Sequence, residues 1–300
     1  DSRPPACERR LYLNARVVLL TSYLPNYRLI ADWAERHDHE LVLVVTAPPS
    51  AGRHYGDEDL VSGLRKGHSI LVTSQLKKTA AAAIAAVAPD LVISAAFPRL
   101  IPPEILRIPA RGAVNVHPSA LPAGRGPNPF RLIYEGDDTI GVTLHRTEAE
   151  FDTGAVLSQR QRPLPPEPSG PAILASVLEM IAEVTEEGAA KALAGEPGEP
   201  QNTALASYGA LFTTEEELID FTEPAAVIAK KIAALNVLAP RARYHLGGKE
   251  GTILHAAQLP SAGAAPAGTV LAAHRDGWTV QAADAPVRIV TLEAPGLPRS

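Results

Sequence analysis

The sequence predicts an α/β protein with a doubly wound, mostly parallel sheet, followed by a smaller β domain. Two observations carry this prediction. In the first two thirds of the chain, short apolar runs rich in β-branched residues alternate with amphipathic segments, which is typical of buried parallel strands connected by helices. Towards the end, short strand candidates follow one another between turn signals, which favours a small barrel or sandwich.

The elements of the first domain follow in chain order. The strand candidates are ARVVLLTS, ELVLVVTA, SILVTS, DLVISAAF and GAVNV, and the helix candidates between them include NYRLIADWAERH and KKTAAAAIAAVAP. Two further strands, GVTLHRTE and AVLSQRQRPL, flank the loop AEFDTG, and PAILASVLEMIAEVTEEGAAKALAG has the apolar stripe of a long amphipathic helix. The alternation indicates a single large α/β domain.

A domain boundary is predicted in EPGEPQNTALAS, because this segment is rich in proline, glycine and polar residues. The expected organisation is a flexible leader at 1–14, a first domain at 15–194, a linker at 195–206 and a C-terminal domain at 207–300. Within the C-terminal domain, the helix candidate EPAAVIAKKIAALN precedes five strand candidates, RARYHL, GTILHAAQL, GTVLAAH, GWTVQAA and VRIVTLEA.

Composition narrows the class of protein. The 28 basic and 33 acidic residues give a net charge of -5, so the chain lacks a global basic footprint for nucleic acid, although a local patch stays open. The only cysteine, Cys7, excludes an intramolecular disulfide and fits a reducing compartment. Apolar runs such as AAAAIAAVA are too short to span a bilayer. We therefore expect a cytoplasmic enzyme without a membrane partner.

Several common site motifs are absent. The first strand-to-helix junction, TSYLPNYR, has no glycine, which disfavours a dinucleotide site. The chain also lacks a P-loop, a G-x-S-x-G elbow and an H-E-x-x-H helix. HDH at 37–39 is a fragment of a metal site or a solvated helix cap, and its position between a helix and a strand favours the cap. No metal is expected.

One constellation does indicate chemistry. Asn115 and His117 stand two residues apart at the end of the strand candidate GAVNV, so their side chains project to the same face. Asp152 follows in the loop AEFDTG. Taken singly, these residues are as compatible with strand-end capping and turns as with a site. However, ligands of open α/β sheets bind at the carboxyl ends of the strands, so an amide, an imidazole and a carboxylate there predict a catalytic site.

At these residues the chain resembles the 10-formyltetrahydrofolate-dependent formyltransferases. NVHPSALPAGRGPNP is similar to the family motif N-x-H-x-S-x-L-P-x-x-R-G, and EFDTG to its D-x-G motif. SYGALFTTEEELIDFTEPAAVIAKKIAALN resembles the start of the C-terminal domain of the methionyl-tRNA and sugar formyltransferases. The resemblance implies a Rossmann-like catalytic domain, an OB-like C-terminal barrel and a formyl transfer to an amine.

The same resemblance implies roles for the residues of the motifs. Asn115 would donate a hydrogen bond to the formyl oxygen, and His117 would donate another or move a proton. Asp152, hydrogen-bonded to His117, would favour the imidazolium and help remove the proton of the amine. The donor, 10-formyltetrahydrofolate, is expected against SAAFPRLIP and EAEFDTG, and its candidate wall residues are Phe97, Leu100, Ile101, Leu121 and Phe151.

The acceptor is predicted from departures from the family pattern. In the methionyl-tRNA enzymes the loop after the second strand is basic, whereas here Arg53 and His54 are followed by acidic residues at 57–59, which repel phosphate. The basic residue that the sugar enzymes carry after R-G is Pro127 here. Lys230, Lys231, Arg241 and Arg243 form either a basic patch or, as we favour, a solvated face.

We therefore expect a small-molecule amine as acceptor, either an amino sugar or a precursor of specialised metabolism, with tRNA disfavoured. The first alternative is methionyl-tRNA formyltransferase, which shares the whole architecture. Further alternatives are hydrolysis of the folate and a folate-binding protein without catalysis. No motif specifies an oligomeric state.

Overall fold

The structure is a computed structural model that describes residues 14–48, 59–260 and 265–292. Cys7 and the loop residues Arg53, His54, Asp57 and Glu58, on which sequence predictions rest, lie outside the described residues. Asp59 lies within them, and its carboxylate accepts hydrogen bonds from the N–H of Val61 and Ser62 in a local turn.

A sheet of seven strands forms the first part of the chain. Its strands are β1 (Arg16–Leu20), β2 (Glu40–Thr46), β3 (Ile70–Val72), β4 (Leu91–Ala95), β5 (Ala113–His117), β6 (Thr139–Arg146) and β7 (Val156–Pro163). The order in the sheet is β3-β2-β1-β4-β5-β6-β7. The pairs β1–β2, β2–β3, β1–β4 and β4–β5 are parallel, and β5–β6 is antiparallel. This confirms the predicted mostly parallel, doubly wound sheet.

The helices differ from the predicted bounds at their ends. Helix α1 (Leu24–Arg36) begins two residues before the predicted start, because Pro25 fits the first turn, where no N–H bond is needed. KKTAAAAIAAVAP forms a π-helical turn, Leu76–Ala80, which continues into α2 (Ala81–Ala86). The remaining helices of this region are α3 (Pro103–Leu106), α4 (Arg131–Tyr134) and α5 (Gly170–Ala194).

The core of this sheet explains why its strands lack polar alternation. Strand β4 is buried at every position, and Val18, Leu20 and Val92 pack with residues of α2 and α3 in one cluster. A strand that is covered on both faces needs apolar residues at successive positions, and this is the pattern on which the prediction relied.

The C-terminal region contains a second sheet of five strands. They are β8 (Arg243–Leu246), β9 (Lys249–Gln258), β10 (Val270–His274), β11 (Gly277–Gln281) and β12 (Pro286–Thr291), in the order β10-β11-β12-β9-β8. Neighbouring strands are antiparallel, and this second sheet confirms the predicted smaller β domain. Two helices precede them, α6 (Thr214–Glu217) and α7 (Ala225–Leu235), and α7 packs its apolar residues against this sheet.

The chain forms two compact units that interleave along the sequence. The first comprises 1–127, 141–161 and 177–208, and the second comprises 128–140, 162–176 and 209–300. In the described part of the chain, no helix has both the length and the apolar character to cross a bilayer.

Candidate active site

Strand β5 places the amide and the imidazole that the sequence singled out. Asn115 and His117 alternate with apolar residues, and His117 is the last residue of the strand. Beside β5 lies the parallel strand β4, with Ser94 paired to Asn115. The two side chains therefore lie near the carboxyl ends of parallel strands, where open α/β sheets bind their ligands.

Asp152 joins them from the turn between β6 and β7. Its Oδ1 accepts a hydrogen bond from Asn115 Nδ2 at 3.3 Å, and its Oδ2 lies 3.6 Å from His117 Nδ1. The backbone N–H of Gly126 donates to Oδ2 at 2.8 Å. The structure thus brings together all three residues that the sequence proposed as catalytic.

The hydrogen bonds of His117 fix its tautomer. Its Nε2 lies 2.7 Å from the carbonyl oxygen of Gly124, which can only accept, so the ring proton is on Nε2. Nδ1 is then an unprotonated acceptor that faces Asp152. Because 3.6 Å is longer than a hydrogen bond, the expected His117–Asp152 hydrogen bond is an electrostatic contact instead.

Burial lowers the pKa of His117 below its ordinary value of 6.5, and Asp152 opposes this effect without outweighing it. His117 is 6% exposed. Asp152 raises the pKa of the ring, which is the direction that the sequence prediction gave, but burial lowers the pKa by more. In the resting site the ring is neutral at neutral pH, because a charged ring would lose its hydration.

Asp152, unlike His117, is charged at neutral pH. Burial raises the pKa of this carboxyl, but the neighbouring rings of His145 and His117 and the N–H of Gly126 together lower it to about 2. The site therefore contains a permanent carboxylate beside a neutral imidazole. Such a pair can take up one proton on the imidazole and stabilise the resulting charge.

His145 is a site residue that the sequence analysis missed. It lies opposite Asn115 in the antiparallel β5–β6 pair, and its Nε2 is 3.2 Å from Asn115 Nδ2. Its Nδ1 donates to the carbonyl of Arg146 at 2.8 Å. The signal was present in the strand GVTLHRTE, where His145 alternates with Thr143, but only the strand register shows which residue it faces.

Gly126 is a second residue that was not singled out. Its φ of +99° lies in the region that favours glycine, and a Cβ atom there would collide with the ring of Tyr208. This conformation lets the backbone N–H reach Asp152. The positive φ therefore favours glycine at this position of the R-G motif.

The five predicted wall residues fall into two groups. Ile101 and Leu121 are each 4% exposed, and Ile101 belongs to the core cluster, against which the half-buried Phe97 packs. Leu100 and Phe151 are exposed. Leu100 alone among the five lines a groove of about 360 Å³, whose other lining residues are Ser74, Leu76, Lys77, Arg99 and Pro102.

Metal ligands are not assembled around these residues. Within 14–48, 59–260 and 265–292, no group of three histidine, cysteine or acidic side chains is placed to hold a metal ion.

Family comparisons match both halves of the chain. Residues 15–185 match the model of the formyl transferase family, and residues 212–299 match the model of the formyl transferase C-terminal domain. Together these matches cover most of the sequence.

Relatives with the name methionyl-tRNA formyltransferase align well. The one from Pseudomonas putida strain F1 is 34% identical over 271 residues, which are 86% of this chain and 84% of that protein. The one from Janthinobacterium sp. strain Marseille is 34% identical over 210 residues, which are 69% of this chain and 66% of that protein.

Among solved structures, HypX from Aquifex aeolicus in complex with tetrahydrofolic acid superposes with a TM-score of 0.69 at 22% identity. The superposition covers 92% of this chain and 43% of HypX. At this level of identity the likeness concerns the fold.

Proposed function

Because this chain belongs to the formyl transferase family, we propose that it moves a formyl group from 10-formyltetrahydrofolate to the amine of a small molecule. The family matches confirm the predicted resemblance, the enzyme class and the folate donor. The observation that carries the proposal is the constellation of Asn115 with the buried His117 and Asp152, on one strand end and a neighbouring turn.

The described residues fit a folate. The groove of about 360 Å³ combines the apolar side chains of Leu76, Leu100 and Pro102 with the cations Lys77 and Arg99. A flat heterocycle needs apolar walls, and the carboxylates of its tail are suited to the two cations. HypX, whose fold is similar, is known with tetrahydrofolic acid bound.

The donor supplies an electrophilic formyl carbon to the attacking amine, and its oxygen gains negative charge as the new C–N bond forms. Asn115 is the candidate donor to that oxygen. Its two N–H groups point to His145 and Asp152, so the oxygen must take over one of these bonds. Prepositioned donors of this kind contribute roughly 10²–10³ in rate.

His117 is the candidate base. Its Nδ1 is unprotonated and faces Asp152, so it can accept the proton that the amine loses as the C–N bond forms. The Asp152 carboxylate then stabilises the imidazolium. The proton can return to the folate nitrogen that is released when its bond to the formyl carbon breaks, which balances the transfer.

The charge of the second unit supports a small acceptor. The four cations that could have formed a basic patch are each paired with a carboxylate of the same unit: Lys230 with Asp138, Lys231 with Glu223, Arg241 with Glu217, and Arg243 with Glu250. Acidic side chains also outnumber basic ones in the described part of this unit. Paired cations neutralise few phosphates, and binding of tRNA depends on such neutralisation.

The second candidate function is methionyl-tRNA formyltransferase. The names of the aligned relatives and the match to the family's C-terminal domain favour it. The two candidates share the donor and the catalytic residues, so they differ only in the acceptor.

A mass-spectrometric screen separates these functions. The enzyme is incubated with 10-formyltetrahydrofolate and a panel of amino sugars, amino acids, other amines and charged initiator tRNA, and each acceptor is examined for a formyl increment. We expect a small amine to be formylated. We expect weak tRNA binding that disappears with salt, and no formyl-methionyl-tRNA.

Formyl-methionyl-tRNA formed at a rate on the order of 1 s⁻¹ or more would establish the second candidate instead. Release of formate without any amine would indicate a hydrolase. The Asp152→Asn variant is the matched control, since it removes the charge next to His117 while preserving the side-chain volume.

A further inference from the structure

One side chain in the predicted linker 195–206 is bonded to the loop that carries Asp152. The amide nitrogen of Gln201 donates to the carbonyl oxygens of Asp152, at 2.9 Å, and of Gly154, at 2.7 Å. Its amide oxygen accepts from Arg125 Nε at 3.1 Å and from Arg125 Nη2 at 2.7 Å. All four bonds have normal lengths, and the orientation of the amide follows from the chemistry of its partners.

The loop that Gln201 holds has a demanding backbone. Asp152 adopts a φ of +56°, which is uncommon for a residue other than glycine and persists only where surrounding bonds determine it. Gly154 packs so closely against the carbonyl of Arg146 that a Cβ atom would not fit. Gln201 bonds the two carbonyls on either side of this tight turn.

Arg125 connects Gln201 to the second loop of the site. Its neighbour Gly124 accepts the hydrogen bond of His117, and its neighbour Gly126 donates to the Asp152 carboxylate. Ser207, the residue just after the predicted linker, bonds the same loop: its carbonyl oxygen accepts from the N–H of Arg125 at 3.0 Å, and its Oγ accepts from the N–H of Gly124 at 2.9 Å.

We propose that Gln201 is a positioning residue for formyl transfer, which holds the loop at 124–126 and the loop of Asp152 together and so sets the distance between the His117 imidazole and the Asp152 carboxylate. The inference rests on the proposed function of this site. Gln201 contacts neither His117 nor the Asp152 carboxylate, so it acts through the two backbones. Misplacing a catalytic group by about 1 Å costs up to about 10²-fold in rate.

The test replaces Gln201 by methionine, which has a similar volume and no amide. The Gln201→Glu variant retains an acceptor for Arg125 but no longer donates to the two carbonyls. Asn202→Ala is the matched control, because the side chain of this adjacent exposed residue caps only its own turn. The assay measures kcat, both KM values and the pH dependence of kcat with the amine found in the acceptor screen.

We expect Gln201→Met and Gln201→Glu to lower kcat roughly 10- to 100-fold with KM values within about threefold, and Asn202→Ala to match the wild type. In Gln201→Met the acid limb of the kcat profile should also move to lower pH. A carboxylate farther from His117 raises the pKa of the ring less, whereas a partly unfolded enzyme would lose activity with an unshifted profile.

Circular dichroism and thermal unfolding check that each variant is folded. If Gln201→Met does not fold, Gln201→Glu provides the test, because a carboxylate has about the same size as the carboxamide that it replaces. Unchanged kcat, or a loss that follows the unfolded fraction with an unshifted pH profile, overturns the proposal. A wild-type enzyme that formylates no amine refutes the proposed function before any variant is compared, and the role of Gln201 with it.

Discussion

The Asp152→Asn substitution tests the assignment of the catalytic carboxylate. Asparagine keeps the volume of the side chain, and its amide oxygen can still accept from the N–H of Gly126, a bond of 2.8 Å in the wild type. What disappears is the negative charge 3.6 Å from His117 Nδ1. The NH2 group of the new asparagine also takes the place of Oδ1, the acceptor of Asn115 Nδ2, so the variant removes the charge together with one hydrogen bond of Asn115.

The size of the effect follows from that distance. At an effective dielectric constant of about 20, two unit charges 3.6 Å apart interact by about 4–5 kcal/mol. The interaction exists only when His117 is protonated, so its loss raises the barrier of a step that charges the ring. We expect kcat to fall roughly 10³-fold, which corresponds to about 4 kcal/mol.

The assay follows formyl transfer to the amine identified in the screen, with saturating donor, by mass spectrometry. Calorimetry with 5-formyltetrahydrofolate measures donor affinity, which should change little if the carboxylate acts on the proton. Asp220→Asn is the control, because the Asp220 carboxylate also has a lowered pKa but bonds the backbone and hydroxyl of Thr222 in a local turn. A folded Asp152→Asn enzyme with kcat within about threefold of the wild type would refute the assignment.

Three further predictions concern the same region. His117→Ala should lower kcat roughly 10²–10⁴-fold and abolish the acid limb of the pH–rate profile. In the wild type this limb should lie below pH 6.5, because burial lowers the pKa of His117. An acid limb that is retained in the variant would belong to another group. Asp152, with its pKa lowered to about 2, should contribute about 2 kcal/mol of stability that is present above pH 4 and lost as the pH falls towards 2. Urea unfolding of the wild type and of Asp152→Asn measures this at pH 7 and pH 3. The difference between their free energies of unfolding should be roughly halved at pH 3, and an equal difference at both pH values would contradict the prediction. Leu100→Asp should weaken 5-formyltetrahydrofolate binding about tenfold with little effect on the free energy of unfolding, whereas Leu121→Ala, at a buried position, should cost about 2–4 kcal/mol of stability. Calorimetry measures the binding and chemical denaturation measures the stability. Donor affinity equal to that of the wild type in Leu100→Asp would exclude the groove that Leu100 lines as the folate site.

The fold was predictable because its signals are local. A strand covered on both faces must be apolar at successive positions, and ARVVLLTS and DLVISAAF show this directly as β1 and β4. The bounds of the helices were less predictable, and the π-helical turn at Leu76–Ala80 was not predicted. The family resemblance, which the family models confirm, depended on motifs that are equally local.

Part of the site was predictable for the same reason. The two-residue spacing of Asn115 and His117 places both side chains on one face of any strand, whatever surrounds it. His145 could not be found in this way. Its contact with Asn115 depends on the register of β5 against β6, which pairs residues 30 positions apart.

The sequence alone determined the alternation of strands and helices, the strand end that carries Asn115 and His117, and the family, because each depends on residues close together in the chain. Only the tertiary structure decided that His117 is buried and neutral, that Asp152 stands 3.6 Å from its Nδ1, and that Gln201 lies against the catalytic loops. These facts arise from non-local pairing and from the exclusion of water, both of which exist only once distant segments have packed together.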